Sequence, residues 1–193
     1  MPGIVGLITK KPREWAESQL ARMVESMRHE SFYVAGTWID ESLGIYVGWV
    51  ARKNSFSDGM PVRNERDEVV LVFSGEDYPE LGATKRLKER GHEFEESGAS
   101  YLVHAYEEDQ DFFKNLNGRF QGLLADRGRG TATLFNDRFG LQRIYIHEAK
   151  DAFYFSAEAK AILAVRSELR STDPQSLGEY IACGCVLENR TLF

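Results

Sequence analysis

The side chains with catalytic or metal-binding chemistry are few and lie far apart along this chain. The four histidines are His29, His92, His104 and His147. Their wide separation indicates structural histidines rather than a set of metal ligands. The two cysteines, Cys183 and Cys185, form a C-x-C pair with no neighbouring cluster of Cys or His, which is typical of ordinary reduced thiols. The sequence therefore predicts no metal site.

Two pairs of adjacent charged residues could be mistaken for acid–base sites. Glu76 and Asp77 are expected at the end of a strand, where neighbouring side chains point to opposite faces, so they should not share a substrate. We interpret Glu76 as a structural carboxylate. Asp137 and Arg138 are expected to form an ion pair beneath a loop.

Composition and charge exclude several classes of function. The chain has 193 residues, enough for one sizeable domain, and a formal net charge of -6. Its basic side chains are interspersed with acidic ones, so we expect no nucleic-acid partner. The apolar runs are far shorter than the roughly 20 residues of a membrane helix, and the start of the chain has no signal-peptide pattern. We therefore expect no membrane partner and a cytoplasmic location.

Apolar periodicity predicts a mixture of strands and helices. The predicted strands span residues 3–9, 33–39, 43–49, 69–73, 119–125, 131–135, 143–146 and 152–155. The predicted helices span residues 12–27, 81–90, 157–164 and 174–182, with one more that Ser97 caps and that turns Tyr101 and Tyr106 inward. The last four strands should form one meander. Helices grouped between two sets of strands predict an α+β protein with two sheets packed face to face and helices outside, a four-layer sandwich whose layer order periodicity alone does not fix.

Six segments, in order along nearly the whole chain, resemble the N-terminal glutamine amidotransferase domain of asparagine synthetases. They are residues 1–7 (MPGIVGL), 27–29 (MRH), 73–78 (FSGEDY), 116–120 (LNGRF), 136–140 (NDRFG) and 155–162 (FSAEAKAI). The third resembles the family's Phe-Asn-Gly-Glu-Ile-Tyr and the fifth its Arg-Asp-Arg-Phe-Gly. Residues 30–33 depart from the Arg-Gly-Pro-Asp that follows the second segment in the family. Each match is short, but all six occur in the family's order.

The resemblance implies the fold of the N-terminal nucleophile hydrolases, which is an αββα sandwich. It also implies an amidotransferase-like domain over residues 1–165, with residues 166–193 starting the connection to a C-terminal synthetase domain of the same polypeptide. Because residues 188–193 end on apolar side chains, we expect that the chain is cut after Phe193. This domain would need no cofactor, whereas the synthetase domain would use ATP and Mg²⁺. A homodimer is a further expectation.

The same resemblance identifies the positions of the family's catalytic groups. Its nucleophile is a cysteine exposed by removal of Met1, and Pro2 stands there with no thiol or hydroxyl. Neither cysteine near the end of the chain could replace it, because no free α-amine would lie beside it. Its oxyanion hole combines an Asn side chain with the N–H of the next Gly, and here the pair is Ser74 and Gly75.

The glutamine clamp of the family is also changed. Gly98 replaces the aspartate that would hold the ammonium group of glutamine. The arginine that would hold its carboxylate falls within residues 46–50, which contain neither His nor Arg, and Arg52 would need a register shift to serve. We assign Trp49, Glu76 and Gly98 to the remnant of the pocket. Trp49 is also expected to fill the core between the sheets, together with Trp38, Tyr46 and Phe73.

Three functions remain open at this stage. The first is a domain unable to hydrolyse glutamine that supports an ATP-dependent, amide-forming synthetase domain. The second is a small-molecule sensor that uses the remnant pocket around Ser74, Gly75 and Gly98. The third is catalysis by the secondary amine of Pro2 after removal of Met1, either as a base or through an iminium with a carbonyl substrate.

Overall fold

Two antiparallel sheets organise the chain in the computed structural model, which describes residues 2–95 and 98–193. The strands are β1 (Gly3–Thr9), β2 (Tyr33–Asp40), β3 (Ile45–Arg52), β4 (Val62–Arg63), β5 (Val69–Asp77), β6 (Gly118–Asp126), β7 (Thr131–Asn136), β8 (Tyr145–Glu148) and β9 (Ala152–Ser156). The α-helices are α1 (Arg13–Met27), α2 (Ala83–Glu89), α3 (Tyr101–Glu108), α4 (Ala159–Val165) and α5 (Pro174–Cys183). Short 3₁₀ turns lie at Phe112–Lys114 and Ser167–Leu169.

The order of the strands shows that the predicted meander of the last four strands is wrong. The first sheet has the order β2-β3-β1-β9-β8, and the second has the order β4-β5-β6-β7. The chain therefore changes sheets between β7 and β8. β1 is almost wholly buried and takes β3 on one edge and β9 on the other, with Val5 opposite Ser156. Periodicity identified these strands, but it carries no information about which strands pair.

A single carboxylate organises the segment in which the chain crosses between sheets. The buried Asp137 accepts hydrogen bonds from the backbone N–H groups of Phe139, Leu141 and Gln142. The expected ion pair with Arg138 does not form among the described residues. Backbone donors in a tight loop satisfy this buried acid instead.

Alternation along β3 separates two apolar layers. Ile45, Val47 and Trp49 join the core between the sheets, whereas Tyr46 and Val50 pack on the opposite face beneath α1. The expectation that Tyr46 fills the core between the sheets is therefore wrong, because its even position in the strand turns it outward. Trp38, Trp49 and Phe73 do lie in that core, as predicted.

Helices cover the outer face of each sheet. α1 and α4 pack together on the first sheet, contacting β1, β3 and β9. α2 and α3 are neighbours, as expected, and α3 contacts β5 of the second sheet. The five residues from Val69 to Phe73 are all buried, which matches a strand covered on both faces. The order of layers is helices, sheet, sheet, helices, and the predicted αββα sandwich is confirmed.

The residues at which the helices begin are set by glycine, proline and capping side chains, which apolar periodicity does not detect. α2 starts two residues later than predicted, after Gly82, whose φ is +80°. The predicted cap Ser97 lies outside the described residues. α5 starts at Pro174, with the Asp173 carboxylate accepting the N–H of Ser176 at 2.7 Å. No described helix combines the length and apolarity that a membrane crossing requires.

One arginine joins the two sheets at the far edge of the sandwich. Arg127, in the β6–β7 turn, donates from Nε to the Asp40 carboxylate at the end of β2, at 2.6 Å. It also donates from Nη1 to the Asp67 carboxylate at 2.6 Å, and its guanidinium lies 5.7 Å from the Trp38 ring. Asp40 further accepts the N–H of Leu43. The ends of both sheets are thereby held by a shared ion-pair network.

Candidate functional site: the start of the first strand

The start of β1, in the first sheet, packs against the end of β9 and against the second sheet. A Cβ built on Gly3 would stand 2.2 Å from the Cβ of Ala157 and 3.1 Å from Nε2 of Gln121, so only glycine fits there. The N–H of Ala157 donates to the carbonyl of Ile4 at 2.9 Å. These contacts place Pro2, which directly precedes β1, at the junction of β9 and the second sheet. Its ring brings no nucleophilic atom to that junction.

Ser74 reaches the same junction from the second sheet. It lies on β5 opposite Gln121 of β6, the residue whose amide also approaches Gly3. Ser74 is only 4% exposed. Gln121 therefore neighbours both Gly3, which follows the predicted nucleophile position, and Ser74, at the predicted oxyanion-hole position.

Gln121 itself is a feature that the sequence analysis missed. Its Oε1 atom is buried and has no hydrogen-bond partner within residues 2–95 and 98–193. A buried carbonyl without a donor is costly, and such groups in a native fold call for an explanation. Nothing in its sequence neighbourhood, Phe120 to Gly122, distinguishes it from an ordinary strand residue.

Gly75 has a backbone conformation that favours glycine, and its N–H group is already hydrogen-bonded. Its φ is +115°, and an added Cβ would stand 2.1 Å from the carbonyl oxygen of Arg119. The Gly75 N–H, which the resemblance assigns to the oxyanion hole, donates to Oγ of Ser57 at 3.3 Å. A substrate oxygen would have to displace that hydroxyl before it could be stabilised.

Gly98 lies against the same loop. Its φ is +82°, and an added Cβ would stand 3.1 Å from the carbonyl oxygen of Phe56. Phe56 and Ser57 therefore approach Gly98 and Gly75 respectively. The loop that contains Phe56 and Ser57 therefore contacts both predicted pocket glycines. Its Phe56 carbonyl lies beside Gly98, and its Ser57 hydroxyl lies beside Gly75.

The remaining clamp positions point away from this junction. The side chain of Trp49 is buried in the core and packs across Gly36, whose added Cβ would stand 2.3 Å from its ring. Gly48, within the stretch 46–50 that would contain the family's arginine, has its added Cβ 2.4 Å from a methyl group of Val24 in α1, so no long side chain fits at that position. Arg52 is exposed, with its guanidinium 5.9 Å from the Phe32 ring.

Glu76 and Asp77 diverge as the strand geometry predicted. Glu76 is exposed and accepts a hydrogen bond from the Tyr78 hydroxyl. Asp77 is buried and accepts the Tyr101 hydroxyl and the N–H of Asn117. Burial raises the pKa of Asp77 despite these donors, and burial together with Asp77 raises the pKa of Tyr101. The pair anchors α3 to the end of β5.

A cavity beside the start of β1 was not foreseen from the sequence. It measures about 360 Å³ and is lined by His29, Tyr145, Ala157, Glu158, Ala159 and Lys160. Ala157 is the residue that packs on Gly3, so the cavity adjoins the start of β1. None of the predicted pocket residues lines it.

The interpretation of the histidines as dispersed is wrong for one pair. The rings of His92 and His104 lie 5.0 Å apart in the fold although 12 positions separate the two residues in the sequence. Glu107 lies within reach of both. The other two histidines remain separate from this cluster: His29 lies at the cavity, and His147 is on β8.

Comparison with known proteins agrees with this architecture. Residues 1–193 match the family described as the glutamine amidotransferase domain. The chain is 32% identical over 120 residues to asparagine synthetase (glutamine-hydrolyzing) 3 of Bacillus subtilis strain 168, covering 61% of this chain and 20% of that protein. It is 25% identical over 201 residues to asparagine synthetase (glutamine-hydrolyzing) 1 of the same organism, covering 100% of this chain and 31% of the relative.

The solved structures add a likeness of fold alone. Glutamine phosphoribosylpyrophosphate amidotransferase from B. subtilis, complexed with ADP and GMP, superposes with a TM-score of 0.64 at 17% identity, over 84% of this chain and 43% of that one. That likeness agrees with the fold of the N-terminal nucleophile hydrolases. The chain spans between a fifth and a third of the length of the asparagine synthetases above, at 20% and 31%.

Proposed function

Because the chain belongs to the glutamine amidotransferase domain family and is related to asparagine synthetases, we propose that it is a degenerate member that does not hydrolyse glutamine. The observation on which this rests is Pro2 at the head of β1, where the family chemistry needs a thiolate. The domain would instead support an ATP-dependent synthetase domain that forms an amide from free ammonia or another amine.

Four further features support the loss of activity. Gly75 N–H is already hydrogen-bonded to Ser57, and Ser74 offers a shorter donor than the family's asparagine. Gly98 cannot hold an ammonium group, and residues 46–50 contain no arginine to hold the carboxylate of glutamine. Removing one oxyanion-hole donor typically costs about 10²- to 10³-fold in rate, so these changes compound the missing nucleophile.

The partner in this proposal is a C-terminal synthetase domain of the same polypeptide, which would bind ATP and Mg²⁺. Exposed apolar side chains on α5 support it, namely those of Leu177, Tyr180 and Ile181. A surface of this kind is suited to contact with a further domain. Association of two such chains into a homodimer belongs to the same proposal.

The direct test is ammonia release from glutamine by the full-length protein, with ammonium-dependent amide synthesis followed in parallel. We expect background glutaminase activity and retained ammonium-dependent synthesis. The Pro2→Cys variant should remain inactive or nearly so, because the oxyanion hole and both clamp positions are still changed. Glutamine turnover by the unmodified protein well above background would contradict the proposal.

A double cysteine variant tests whether a thiol elsewhere in the chain replaces the missing nucleophile. Cys183 and Cys185 are both exposed and free, and replacing both by serine should change neither activity. If residual glutamine hydrolysis disappeared in that double variant, a thiol outside the family position would be the nucleophile. The proposal would then be wrong in its central point.

The cavity beside the start of β1 favours a second candidate, a small-molecule sensor. Its lining combines an imidazole, a phenol, a carboxylate and an ammonium group, which suits a small polar ligand. Thermal-shift measurements with amino acids, amines and nucleotides should then show stabilisation that Lys160→Met reduces.

Catalysis by the Pro2 amine requires that Met1 be removed, and an intact mass that includes Met1 excludes it.

A further inference from the structure

Two imidazoles and two carboxylates that the proposed function does not use lie close together near the start of α3. His92 lies in the connection between α2 and α3, His104 and Glu107 lie one turn apart on α3, and Glu65 lies in the turn between β4 and β5. His104 is 3% exposed, so its ring is held by packing, including a stack with Phe94 at 5.4 Å. Three separate segments of the chain thus converge at one point.

The nitrogen and oxygen atoms at this point face one another. Nδ1 of His104 lies 2.9 Å from Oε2 of Glu107, and Nδ1 of His92 lies 3.5 Å from the same oxygen. Ligands about 2.0–2.1 Å from a tetrahedral Zn²⁺ are about 3.3 Å apart, and the two distances bracket that value. Oε1 of Glu65 is 3.9 Å from Nδ1 of His104 but lies outside the compact group of His92, His104 and Glu107, so its exposed side chain would have to move closer to provide a fourth ligand.

Groups around these atoms orient them as partners of a metal site usually do. Oε1 of Glu107 accepts a hydrogen bond from Nδ2 of Asn64 at 2.8 Å, which leaves Oε2 directed at the imidazoles. Asn64 is itself fixed, since its Oδ1 accepts the N–H groups of Glu68 and Val69. Nε2 of His92 lies 3.0 Å from Oε1 of Glu108, so a proton on Nε2 would leave Nδ1 free to coordinate.

We propose that His92, His104, Glu107 and Glu65 bind one Zn²⁺ ion that fastens the α2–α3 connection to the β4–β5 turn. Two imidazole nitrogens favour zinc over Mg²⁺ or Ca²⁺, which prefer oxygen ligands alone. Four protein ligands leave no open position, so the site is structural. Coordination through Nδ1 of His104 would replace the hydrogen bond that this atom makes with Glu107.

The connection held in this way also contains Gly98, which lies against Phe56. Binding of zinc would therefore reduce the motion of one wall of the remnant glutamine site. The proposal does not depend on whether glutamine is hydrolysed there.

Equilibrium dialysis of the full-length protein against Zn²⁺, with metal counted by elemental analysis, tests the site. We expect one zinc ion per chain whose Kd rises about 100-fold or more in His92→Gln. Glu108→Gln, which removes an orienting partner, should raise it about 10- to 100-fold. Substitution by Co²⁺ should give the strong visible absorption of a tetrahedral complex, and that absorption should be lost in His92→Gln.

Two controls make the result decisive. His147→Gln alters a histidine on β8, away from the cluster, and Cys183→Ser with Cys185→Ser removes the exposed thiols. Both should bind zinc as the unmodified protein does. Circular dichroism confirms that each variant is folded. An absence of zinc binding, equal binding by folded His92→Gln, or loss of binding in the cysteine variant would each overturn the proposal.

Discussion

Replacing Arg127 by methionine should separate the ends of the two sheets and destabilise the fold. The change keeps an apolar stem over Trp38 but leaves the Asp40 carboxylate, 4% exposed, without its cationic partner. Breaking a buried ion pair costs about 3–5 kcal/mol. Because the Arg127 side chain is 34% exposed, we expect the loss to be smaller, about 2–3 kcal/mol.

Thermal unfolding of the 193-residue chain gives the assay. At about 2–4 °C per kcal/mol for this size, Arg127→Met should lower the Tm by about 4–12 °C. Arg129→Met is the matched control, since that side chain is 54% exposed and its contact with Asp126 is 3.5 Å long. It should cost about 1 kcal/mol or less. Equal losses from the two variants would refute the reasoning.

A double-mutant cycle and a pH series examine the same pair. Asp40→Asn combined with Arg127→Met removes both charges, so it should be more stable than Arg127→Met alone. Burial alone raises the pKa of Asp40, but hydrogen bonds from Ser42 and Arg127 hold it below its ordinary value of 3.8. The stability from the pair is therefore complete above pH 3.8 and is lost as the pH falls through the lower, folded-state pKa.

Two further variants report on the region around the remnant site. Gly98→Ala should cost about 1–2 kcal/mol because φ is +82° there, whereas Gly59→Ala, with open space around it, should be neutral or slightly stabilising in urea melts. A neutral Gly98→Ala would contradict the strained geometry. Tyr101→Phe removes a donor from buried Asp77 and should cost about 1.5–3 kcal/mol at pH 7. Because the pKa of Asp77 is raised, that cost should shrink as the pH falls, and a cost unchanged by pH would argue against it.

The sequence patterns identified the strands, but they showed the number of buried faces correctly only for β5. Its unbroken apolar run matches a strand buried on both faces, whereas β3, in which the larger apolar residues alternate, is also buried on both faces because α1 covers its outer side. The same patterns could not predict that β8 and β9 join the first sheet. That choice depends on the free edge of β1, which lies about 150 residues earlier in the chain.

The sequence was sufficient to predict which residues occupy the site, but not which contacts they make. Pro2, Ser74 and Gly98 stand out in the sequence because family motifs surround them. The hydrogen bond from Gly75 to Ser57 has no such signal, since it joins a strand to a loop 18 residues away. The approach of His92 to His104 is likewise a tertiary contact, which periodicity does not encode.

The division of the chain between its sheets has a consequence for biosynthesis. Strands β4 to β7 are consecutive neighbours, so the second sheet can assemble from one continuous stretch as it leaves the ribosome. The first sheet cannot close at that stage, because β1 must wait for β9 while its second edge stays open. A nascent chain halted before β9 should therefore present the edge of its first strand to chaperones or to other chains.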